Sequence, residues 1–267
     1  MLIHEKYTAL KIYLASLKSV AVAFSGGVDS TLLLKIAHDV LGDRVIAVTV
    51  SSSFIARREI HEAESFCAEN GIIQEVITVD ESEIQGFTDN PPNRCYLCKR
   101  EIFTKILEAA SKHKLAHVVE GSNVDDLGDY RPGLKALQEL SIKSPLRDAG
   151  LTKAEIRELS HELGLPTWEK PSYACLASRF VYGEKITREK LRMVERAEEF
   201  LQGLGFRQMR VRLHGTIARL EILPEEFARI VQDEIRTRVY DALKGLGFSY
   251  VTLDLKGYRT GSMNETL

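Results

Sequence analysis

The sequence predicts an α/β protein in which a doubly wound parallel sheet is followed by a smaller C-terminal α+β domain. Short apolar runs alternate with amphipathic segments through the first half of the chain, which is the pattern of strands joined by crossover helices. A glycine-containing turn follows the first apolar run, where sheets of this kind bind their ligands. Alternation typical of a second sheet starts only after Ile186, so we place the two domains at 1–184 and 185–267.

The composition is ordinary for a globular chain of 267 residues. Hydrophobic residues at 44% and charged residues at 28% exclude a disordered, collagen-like or membrane-spanning chain. The first residues interleave polar with apolar groups, unlike a signal peptide, so we expect a cytoplasmic protein. Since 36 Lys and Arg stand against 38 Asp and Glu, the net charge is −2, and we expect neither a nucleic-acid partner nor a membrane.

The expected elements of the first domain alternate in type. Periodicity predicts strands at 20–24, 45–50, 72–79 and 116–120, and helices at 30–40, 56–70 and 99–112. A further helix begins after Thr152, because Thr152 and Glu155 form a capping box, and it ends near Gly164. The stretch 166–184 has no clear periodicity, so we expect a loop over the site.

The second domain is expected to begin with a charged helix at 188–204. Alternating residues predict a strand within 206–214 and further strands at 218–223 and 250–255. A helix is expected after Pro224, since proline fits the first turn of a helix. We expect the last ten residues to be loose.

The strongest motif is SGGVDS at 25–30, between a predicted strand and a predicted helix. Gly26 and Gly27 allow a tight turn that brings backbone N–H groups against an anion, and the helix start adds partial positive charge. Ser25 and Ser30 can donate hydroxyl hydrogen bonds to a phosphate. Asp29 would repel a bare phosphate, so it serves as a helix cap or acts through a cation. The alternative is a plain strand-to-helix turn, where Gly and Ser are common.

Four cysteines stand at positions 67, 95, 98 and 175, and a reducing compartment argues against disulfides. Cys67 fits the apolar face of a helix as a buried thiol. If Asn93 caps a helix, Cys95 and Cys98 lie three residues apart on one face near its positive end. A lone Cys-x-x-Cys leaves three readings open: a redox pair, half of a zinc site, or part of an iron–sulfur site.

Cys175 and three arginines are the other candidate site residues. Small residues flank Cys175 and Arg179 follows it, which suits a nucleophilic or metal-ligating thiol; a buried apolar cysteine is the alternative. Arg210 and Arg212 lie two apart on a predicted strand, so they point to the same face and could grip a phosphate. A solvated basic edge strand would explain these two arginines about as well.

The loop at 25–30 resembles the PP-loop of the ATP pyrophosphatase group, which includes asparagine, GMP and NAD synthetases and the tRNA thiolation enzymes. EGSN at 120–123, followed by Asp125 and Asp126, is similar to that group's second motif. The resemblance implies an adenine nucleotide alpha hydrolase-like fold, in which ATP is attacked at its α-phosphorus and releases pyrophosphate. It also implies that Gly121 lies near the phosphates, that Ser51 lies beside adenosine, and that Mg²⁺ takes part.

A closer resemblance runs through nearly the whole chain. GDYRPG (128–133), SPL (144–146), LTK (151–153), ACLASR (174–179), RVR (210–212) and ARLE (218–221) occur in an order similar to the LarE family, the ATP-dependent sulfur transferases of nickel-pincer nucleotide biosynthesis. The resemblance implies a pyridinium mononucleotide substrate with two carboxylates, one of which ATP adenylates before sulfur attacks. Arg179, Arg210 and Arg212 would bind the anionic groups of this substrate. A homo-oligomer, up to a hexamer, is also implied.

That family has two forms, and the cysteines help to choose between them. In one form a single cysteine, matching Cys175, surrenders its own sulfur and becomes dehydroalanine. In the other form three cysteines bind a 4Fe-4S cluster whose unligated iron carries an extra sulfide. Because this chain has Cys95, Cys98 and Cys175, the resemblance implies the cluster form, with these three thiolates as metal ligands and catalytic residues.

Other functions stay open at this point. A tRNA thiolation enzyme shares the adenylation chemistry, but the net charge and the lack of aromatic-basic interleaving in the second domain count against RNA binding. An ammonia-using synthetase would not need three cysteines, and a nucleotide-binding regulatory protein would bind ATP without releasing pyrophosphate. Zinc could also replace iron at the thiolates. The divalent ion that accompanies ATP could lie at Asp29, Asp125, Asp126 or Glu221.

Overall fold

The computed structural model describes residues 2–128, 132–171, 174–259 and 261–266. The chain forms two compact units. The first unit comprises Met1–Ile84 and Asn93–Tyr173, and the second comprises Gln85–Pro92 and Ala174–Leu267. None of the described helices is long and apolar enough to cross a membrane.

In its described residues the first unit contains seven helices and four strands. The helices are α1 (Ile3–Leu17), α2 (Val28–Leu41), α3 (Arg57–Glu69), α4 (Arg94–Lys112), α5 (Gly133–Glu139), α6 (Pro145–Asp148) and α7 (Lys153–Glu162). The strands are β1 (Val20–Ala23), β2 (Val45–Ser51), β3 (Gln74–Thr78) and β4 (His117–Val119). Strands and helices alternate as the sequence predicts, which confirms the α/β class.

The described strands of the first unit form a parallel sheet in the order β3-β2-β1-β4. Val20 of β1 lies opposite Val45 of β2 on one side and opposite His117 of β4 on the other. The chain therefore leaves β1 toward one side to form β2 and β3, and later returns to the other side to form β4. This reversal is a topological switch point, where parallel sheets bind ligands beyond the carboxyl ends of their strands.

Successive residues of β1 pack into two separate apolar cores, one on each face of the sheet. Val20 and Val22 pack with residues of α1, α2, α3 and α7, whereas Ala21 packs with residues of α4 and α5, such as Phe103 and Leu137. This two-residue period is what a strand shows when both faces of its sheet are covered by helices. The doubly wound architecture that the sequence predicts is thereby confirmed.

Four helices of the first unit differ from the expectation: α1, α5 and α6 are absent from it, and α4 begins earlier than expected. Helix α1 is absent from the elements that the periodicity predicts, although Leu10, Leu14 and Leu17 are buried along it. Leu10, Leu14 and Leu17 recur at the three- and four-residue spacing of an amphipathic helix, with polar residues between them, so comparison with the continuous apolar run of a signal peptide does not reveal this helix. Helix α4 begins at Arg94 rather than at the expected residue 99, because its first turn carries little apolar periodicity.

The second unit contains three helices and three strands in its described residues. They are α8 (Arg188–Gly203), α9 (Phe227–Ile230), α10 (Asp233–Gly245), β5 (Met209–His214), β6 (Ile217–Ile222) and β7 (Tyr250–Leu253). β6 lies between antiparallel β5 and parallel β7. Helix α8 buries its apolar face and contacts β5, so the predicted small α+β domain is confirmed.

The short segment Gln85–Pro92 belongs to the second unit through hydrogen bonds. The Asn90 carbonyl accepts from the Gly183 N–H at 2.9 Å, and the Thr88 carbonyl accepts from the Ile186 N–H at 2.8 Å. The Asn90 side-chain amide also donates to the Val181 carbonyl at 2.7 Å. The chain therefore contributes to the second unit twice, first with this segment and later with everything after residue 173.

Helix α7 begins with the predicted capping box. The Thr152 hydroxyl accepts a hydrogen bond from the Glu155 N–H at 3.3 Å, and the Glu155 carboxylate accepts one from the Thr152 N–H at 2.8 Å. Lys6 of α1 donates to the same carboxylate at 2.7 Å. The box satisfies two backbone donors that a helix start would leave unpaired, and the lysine ties it to α1.

Replacing Thr152 with alanine is expected to lower the free energy of unfolding by about 1 kcal/mol, because the helix loses its capping acceptor. Urea denaturation followed by circular dichroism measures the change. Thr104→Ala is the matched control, since Thr104 is exposed within α4, where alanine is the better helix former. Equal stability of the wild type and Thr152→Ala would contradict the capping role.

Candidate functional site

The glycine loop at 25–30 leaves the carboxyl end of β1 and leads into α2, whose N-cap position is Gly27. Gly26 has a φ of 67°, in the left-handed region that favours glycine. A Cβ atom at Gly26 would lie 3.4 Å from the Cβ of Ala63, so helix α3 packs closely against the turn. The loop therefore presents backbone N–H groups at a helix N-terminus, which is an anion-binding arrangement.

The two serines of the loop contact each other. The Ser30 hydroxyl donates to the Gly27 carbonyl at 3.1 Å and accepts from the Ser25 N–H at 3.3 Å. The two hydroxyl oxygens lie 3.1 Å apart. Because Ser30 is buried and Ser25 is exposed, Ser30 stabilises the shape of the loop, whereas the hydroxyl of Ser25 is accessible to a ligand.

Asp29 connects the glycine loop with the segment that follows β4. Its carboxylate accepts a hydrogen bond from the Asn123 amide at 2.9 Å and forms an ion pair with the Lys153 ammonium group. The Lys153 N–H also donates to the Asp125 carboxylate at 2.8 Å. The carboxylate of Asp29, in the first turn of α2, therefore links the SGGVDS motif to the EGSN motif after β4.

The segment after β4 is ordered by its own hydrogen bonds and lies close to the loop. The Asn123 side-chain oxygen accepts from the Asp125 N–H, and the Asp126 carboxylate accepts from the Asn123 N–H, both at 2.9 Å. A Cβ atom at Gly121 would lie 3.1 Å from the backbone nitrogen of Ser30. A side chain at position 121 would therefore press on the backbone of the glycine loop, which would have to move by a few tenths of an ångström.

Lys170 contacts the glycine loop from the segment that follows α7. Its ammonium group donates to the Gly26 carbonyl at 2.8 Å and to the Glu62 carboxylate of α3 at 2.5 Å. Arg157 of α7 donates to the carbonyls of Trp168 at 2.5 Å and of Lys170 at 2.8 Å. Helix α7 thereby anchors the segment that carries this lysine.

The sequence motifs indicate no role for the side chains of Lys153 and Lys170. Lys153 contacts Asp29 across 124 positions of the chain, and Lys170 contacts Gly26 across 144 positions. Lys153 lies in the LTK motif and beside the capping box at the start of α7, neither of which indicates Asp29 as its partner, and Lys170 lies in a stretch without periodicity. Contacts over such separations have no local sequence pattern that could reveal them.

Ser51, which the resemblance places beside adenosine, is the last residue of β2. Since β2 pairs with β1, Ser51 lies at the same carboxyl edge of the sheet as the glycine loop. The next residue, Ser52, has a buried hydroxyl for which the described residues provide no hydrogen-bond partner. The Ser53 hydroxyl donates to the Glu81 carboxylate at 2.6 Å. The contact of Ser51 with adenosine stays a prediction.

The cysteines differ in exposure. Cys95 is exposed and Cys98 is half-buried near the start of α4, where their spacing places them on one helix face. Cys175 is half-buried in the second unit and precedes a short 3-10 turn at Leu176–Arg179. Among the described residues, no three His, Cys, Asp or Glu side chains form a group that could hold a metal ion. Burial raises the pKa of Cys67 to about 12, so that thiol stays protonated.

Arg179 and Glu198 form a buried ion pair in the second unit. The guanidinium group donates to both carboxylate oxygens, at 2.9 and 2.8 Å, and Glu198 also accepts the Val211 N–H at 2.9 Å. Arg179 is 1% exposed. Burial by itself raises the pKa of Glu198, but the charge of Arg179 and these hydrogen bonds outweigh burial and hold the pKa below its usual range.

Arg210 and Arg212 lie on β5 and are both buried, which excludes a solvated edge strand. Arg212 donates to the Glu221 carboxylate at 2.8 and 3.0 Å and to the Ser178 carbonyl at 2.8 Å. The guanidinium carbon of Arg210 lies 5.1 Å from the centre of the Tyr258 ring. Burial lowers the pKa of both arginines, although an arginine keeps its charge at neutral pH.

The carboxylate of Glu221 is fully buried and receives several donors. Besides Arg212, it accepts from Arg219 at 3.1 Å and from the Ser262 hydroxyl at 2.7 Å. Together with Arg219, the guanidinium groups of residues 179, 210 and 212 outnumber the carboxylates of Glu198 and Glu221 by four to two. Such a group suits an anionic ligand. Neither Glu198 nor Ser262 belongs to a motif, so the sequence did not reveal them.

Parts of two predicted motifs lie outside the described residues. Asp129, Tyr130 and Arg131 of the 128–133 motif are among them, as are the two residues at 172–173 that precede the ACLASR motif. The last residue of the first motif, Gly133, begins α5, and a Cβ atom there would lie 2.7 Å from the side chain of Lys99. Glycine at 133 therefore permits α5 to pack closely against α4.

Comparisons with known proteins extend over most of the chain. A family model described as NAD synthase matches residues 3–101. An uncharacterized protein of Synechocystis sp. is 41% identical over 266 residues, which cover 100% of this chain and 99% of that protein. Pyridinium-3,5-bisthiocarboxylic acid mononucleotide synthase of Lactiplantibacillus plantarum is 42% identical over 264 residues, covering 98% and 95%. An uncharacterized protein of Methanocaldococcus jannaschii is 30% identical over 243 residues, covering 91% and 92%.

Replacing Gly121 with alanine is expected to weaken binding of inorganic pyrophosphate about tenfold, or ~1.4 kcal/mol, because the new methyl group displaces the backbone of the glycine loop. Isothermal titration calorimetry measures the affinity. Gly245→Ala is the matched control, since a Cβ atom there meets nothing within 4 Å. An unchanged affinity of Gly121→Ala would show that the close approach at position 121 has no part in anion binding.

Replacing Glu198 with glutamine is expected to lower the free energy of unfolding at pH 7 by about 3–5 kcal/mol, because Arg179 is left as an uncompensated buried charge. Since the pKa of Glu198 is lowered in the folded state, its contribution is present above its unfolded pKa of about 4.3 and is lost as the pH falls through the folded value. Urea denaturation at pH 7 and at acidic pH measures both effects. Glu199→Gln, at an exposed position of the same helix, is the control; an equal loss in both variants would contradict the role of the ion pair.

Proposed function

Since the chain belongs to the LarE family, the family of the Lactiplantibacillus plantarum synthase, we propose that it is an ATP-dependent sulfur transferase. It adenylates a carboxylate of a pyridinium biscarboxylate mononucleotide and inserts sulfur to give a thiocarboxylate, in nickel-pincer nucleotide biosynthesis. The observation that carries the proposal is the junction of the two motifs at the switch point, where Asn123 donates to Asp29 beside the glycine loop. The similarity to that synthase covers 98% of this chain, which supports extending the proposal to the second unit.

ATP binding is assigned to the glycine loop. Its N–H groups and the start of α2 would bind the phosphates, and Ser25 would add its exposed hydroxyl. The carboxylate oxygens of Asp29 fit Mg²⁺, which proteins commonly hold through one or two carboxylates together with phosphate oxygens. When bound, this ion would neutralise charge on the phosphates. Lys153, which now pairs with Asp29, would then be available to the phosphates.

The adenylation step prepares the carboxylate for sulfur. A carboxylate oxygen of the substrate attacks the α-phosphorus of ATP, the bond to the β-phosphate oxygen breaks, and pyrophosphate leaves. The product is an acyl-adenylate, whose AMP group is a much better leaving group than the oxygen of a free carboxylate. Sulfur then attacks the acyl carbon and AMP departs, which leaves the thiocarboxylate.

The anionic groups of the mononucleotide are assigned to the second unit. Arg179, Arg210 and Arg212 provide guanidinium groups, which bind phosphate and carboxylate oxygens bidentately. Glu198 and Glu221 hold two of these groups in place through buried hydrogen bonds. Because the guanidinium groups are already positioned, little side-chain entropy is lost when the substrate binds.

Sulfur delivery is assigned to Cys95, Cys98 and Cys175. Cys95 and Cys98 suit two thiolate positions of a 4Fe-4S cluster, because they share one face of α4 near its positive end. Cys175 is assigned as the third ligand. When bound, such a cluster would offer a sulfide on its unligated iron.

A sacrificial route is the alternative within the same family. The thiolate of Cys175 would attack the acyl-adenylate and AMP would leave, so that the substrate is joined to the protein through a thioester. Removal of the Cα proton would then break the Cβ–S bond, which releases the thiocarboxylate and leaves dehydroalanine at position 175. The two routes differ in the mass of the protein after turnover.

Two further assignments rest on the resemblance. We place the reaction in the cytoplasm, where ATP and the reducing conditions that thiolates need are available. We also propose a homo-oligomer, up to a hexamer, which light scattering would measure. A tRNA thiolation enzyme stays an alternative that the choice of substrate tests.

Protein purified without oxygen is expected to be brown, with broad visible absorbance, bound iron and labile sulfide. Replacing Cys95, Cys98 or Cys175 with alanine is expected to remove the absorbance, because the cluster needs all three thiolates. Cys67→Ala is the matched control, since that thiol is buried on α3. Absorption spectra with iron and sulfide analysis provide the measurement. Colourless protein that contains zinc would overturn the cluster assignment.

Protein purified without oxygen also tests which sulfur-transfer route the protein uses and which substrate it accepts. A protein mass lower by the elements of hydrogen sulfide after turnover would establish the sacrificial route instead. ATP-dependent release of pyrophosphate is then compared for the pincer precursor and for unmodified tRNA. Release triggered by the precursor supports the proposed function, whereas thiolation of tRNA alone would refute it.

A further inference from the structure

We propose that Lys170 is a positioning residue of the phosphate site, whose ammonium group orients the peptide between Gly26 and Gly27 so that the Gly27 N–H faces the bound phosphate. The inference deepens the proposed function, because it assumes that the glycine loop binds the phosphates of ATP. No motif or comparison assigns a role to this lysine.

The contacts of Lys170 are specific and well shielded. Its ammonium group donates to the Gly26 carbonyl at 2.8 Å and to the Glu62 carboxylate at 2.5 Å. The side chain of Lys170 is 13% exposed, whereas that of Glu62 is 54% exposed. Because the ammonium group is shielded and also donates to a backbone carbonyl, the contact differs from an exposed surface ion pair.

The geometry of the peptide bond explains what the contact achieves. A trans peptide is planar, and its C=O and N–H groups point in opposite directions; the described residues contain no cis peptide bond. Fixing the Gly26 carbonyl toward Lys170 therefore turns the Gly27 N–H to the opposite side. Two consecutive glycines would otherwise leave this peptide free to rotate, since glycine adopts positive and negative φ with similar ease.

The lysine is itself anchored from helix α7. Arg157 donates to the carbonyls of Trp168 and Lys170, and the ring of Trp168 lies edge-on to His161 of the same helix, with 4.4 Å between ring centres. The segment that carries Lys170 is thus attached to a helix with a capped N-terminus. A positioning residue needs such support, because its effect depends on its own fixed position.

Substitution of Glu62 distinguishes a positioning role of Lys170 from direct binding of the phosphate by Lys170. If Lys170 left Gly26 to bind the phosphate itself, Glu62 would compete with the phosphate, and Glu62→Gln would tighten phosphate binding. If Lys170 acts through the Gly26 carbonyl, Glu62 helps to hold it there, and the same substitution weakens binding. The inference predicts a weakening of about threefold for Glu62→Gln.

The test measures affinity for Mg²⁺-pyrophosphate and for AMP by isothermal titration calorimetry on the full chain. Lys170→Ala is expected to bind pyrophosphate about tenfold more weakly and AMP within about twofold of the wild type, since AMP lacks the two phosphates that the loop holds. Lys170→Arg is expected to restore pyrophosphate affinity to within about threefold, because a guanidinium group can donate to both partners. Unchanged AMP binding shows that the variants are folded.

Lys6→Ala is the matched control, because Lys6 is also shielded, at 17% exposure, and pairs with Glu155 in the same unit. Full pyrophosphate affinity in Lys170→Ala, or equal losses for pyrophosphate and AMP, would overturn the inference. Tighter binding in Glu62→Gln would overturn it as well. Wild-type protein that binds neither pyrophosphate nor ATP would refute the proposed function itself, so the two failures are distinguishable.

Discussion

The rest of the site depends on the hydrogen bond from the Asn123 amide to the Asp29 carboxylate. It joins the first turn of α2 to the segment after β4, and these come together because β1 and β4 are neighbours in a parallel sheet. Gly121 allows the approach, since a side chain there would meet the backbone of Ser30. Two strand ends therefore border the glycine loop, which is the property of a switch point that a plain strand-to-helix turn lacks.

The second unit keeps charged groups away from water, and burial of this kind contributes little net stability. Removing an ion from water costs several kcal/mol, and a buried pair returns little more than that cost. The pairs of Arg179 with Glu198 and of Arg212 with Glu221 are nevertheless both buried. A protein that needed stability alone would fill this space with apolar side chains. Guanidinium groups held in fixed positions are instead what recognition of a phosphate or carboxylate requires.

Much of the fold could be predicted from the sequence, and the misses have physical causes. The strands of the first sheet are short apolar runs, and the start of α7 is marked by Thr152 and Glu155, so both follow from local patterns. Helix α1 escaped prediction because its segment was compared only with the continuous apolar run of a signal peptide, whereas its buried residues recur every three or four positions. In the second unit, the burial of Arg210 and Arg212 could not be predicted, because the alternation along β5 assigns its apolar residues to the core but does not say that the opposite face is covered as well.

By itself the sequence determined the alternation of elements, the glycine loop with its helix start, and the three-residue spacing of Cys95 and Cys98. These are local properties, since they depend on residue type and on spacings of a few positions. Only the tertiary structure decided that Lys153 meets Asp29, that Lys170 meets Gly26 and that Glu198 meets Arg179. Hydrogen bonds form within about 3 Å, and only packing of sheet and helices brings side chains from separate elements that close.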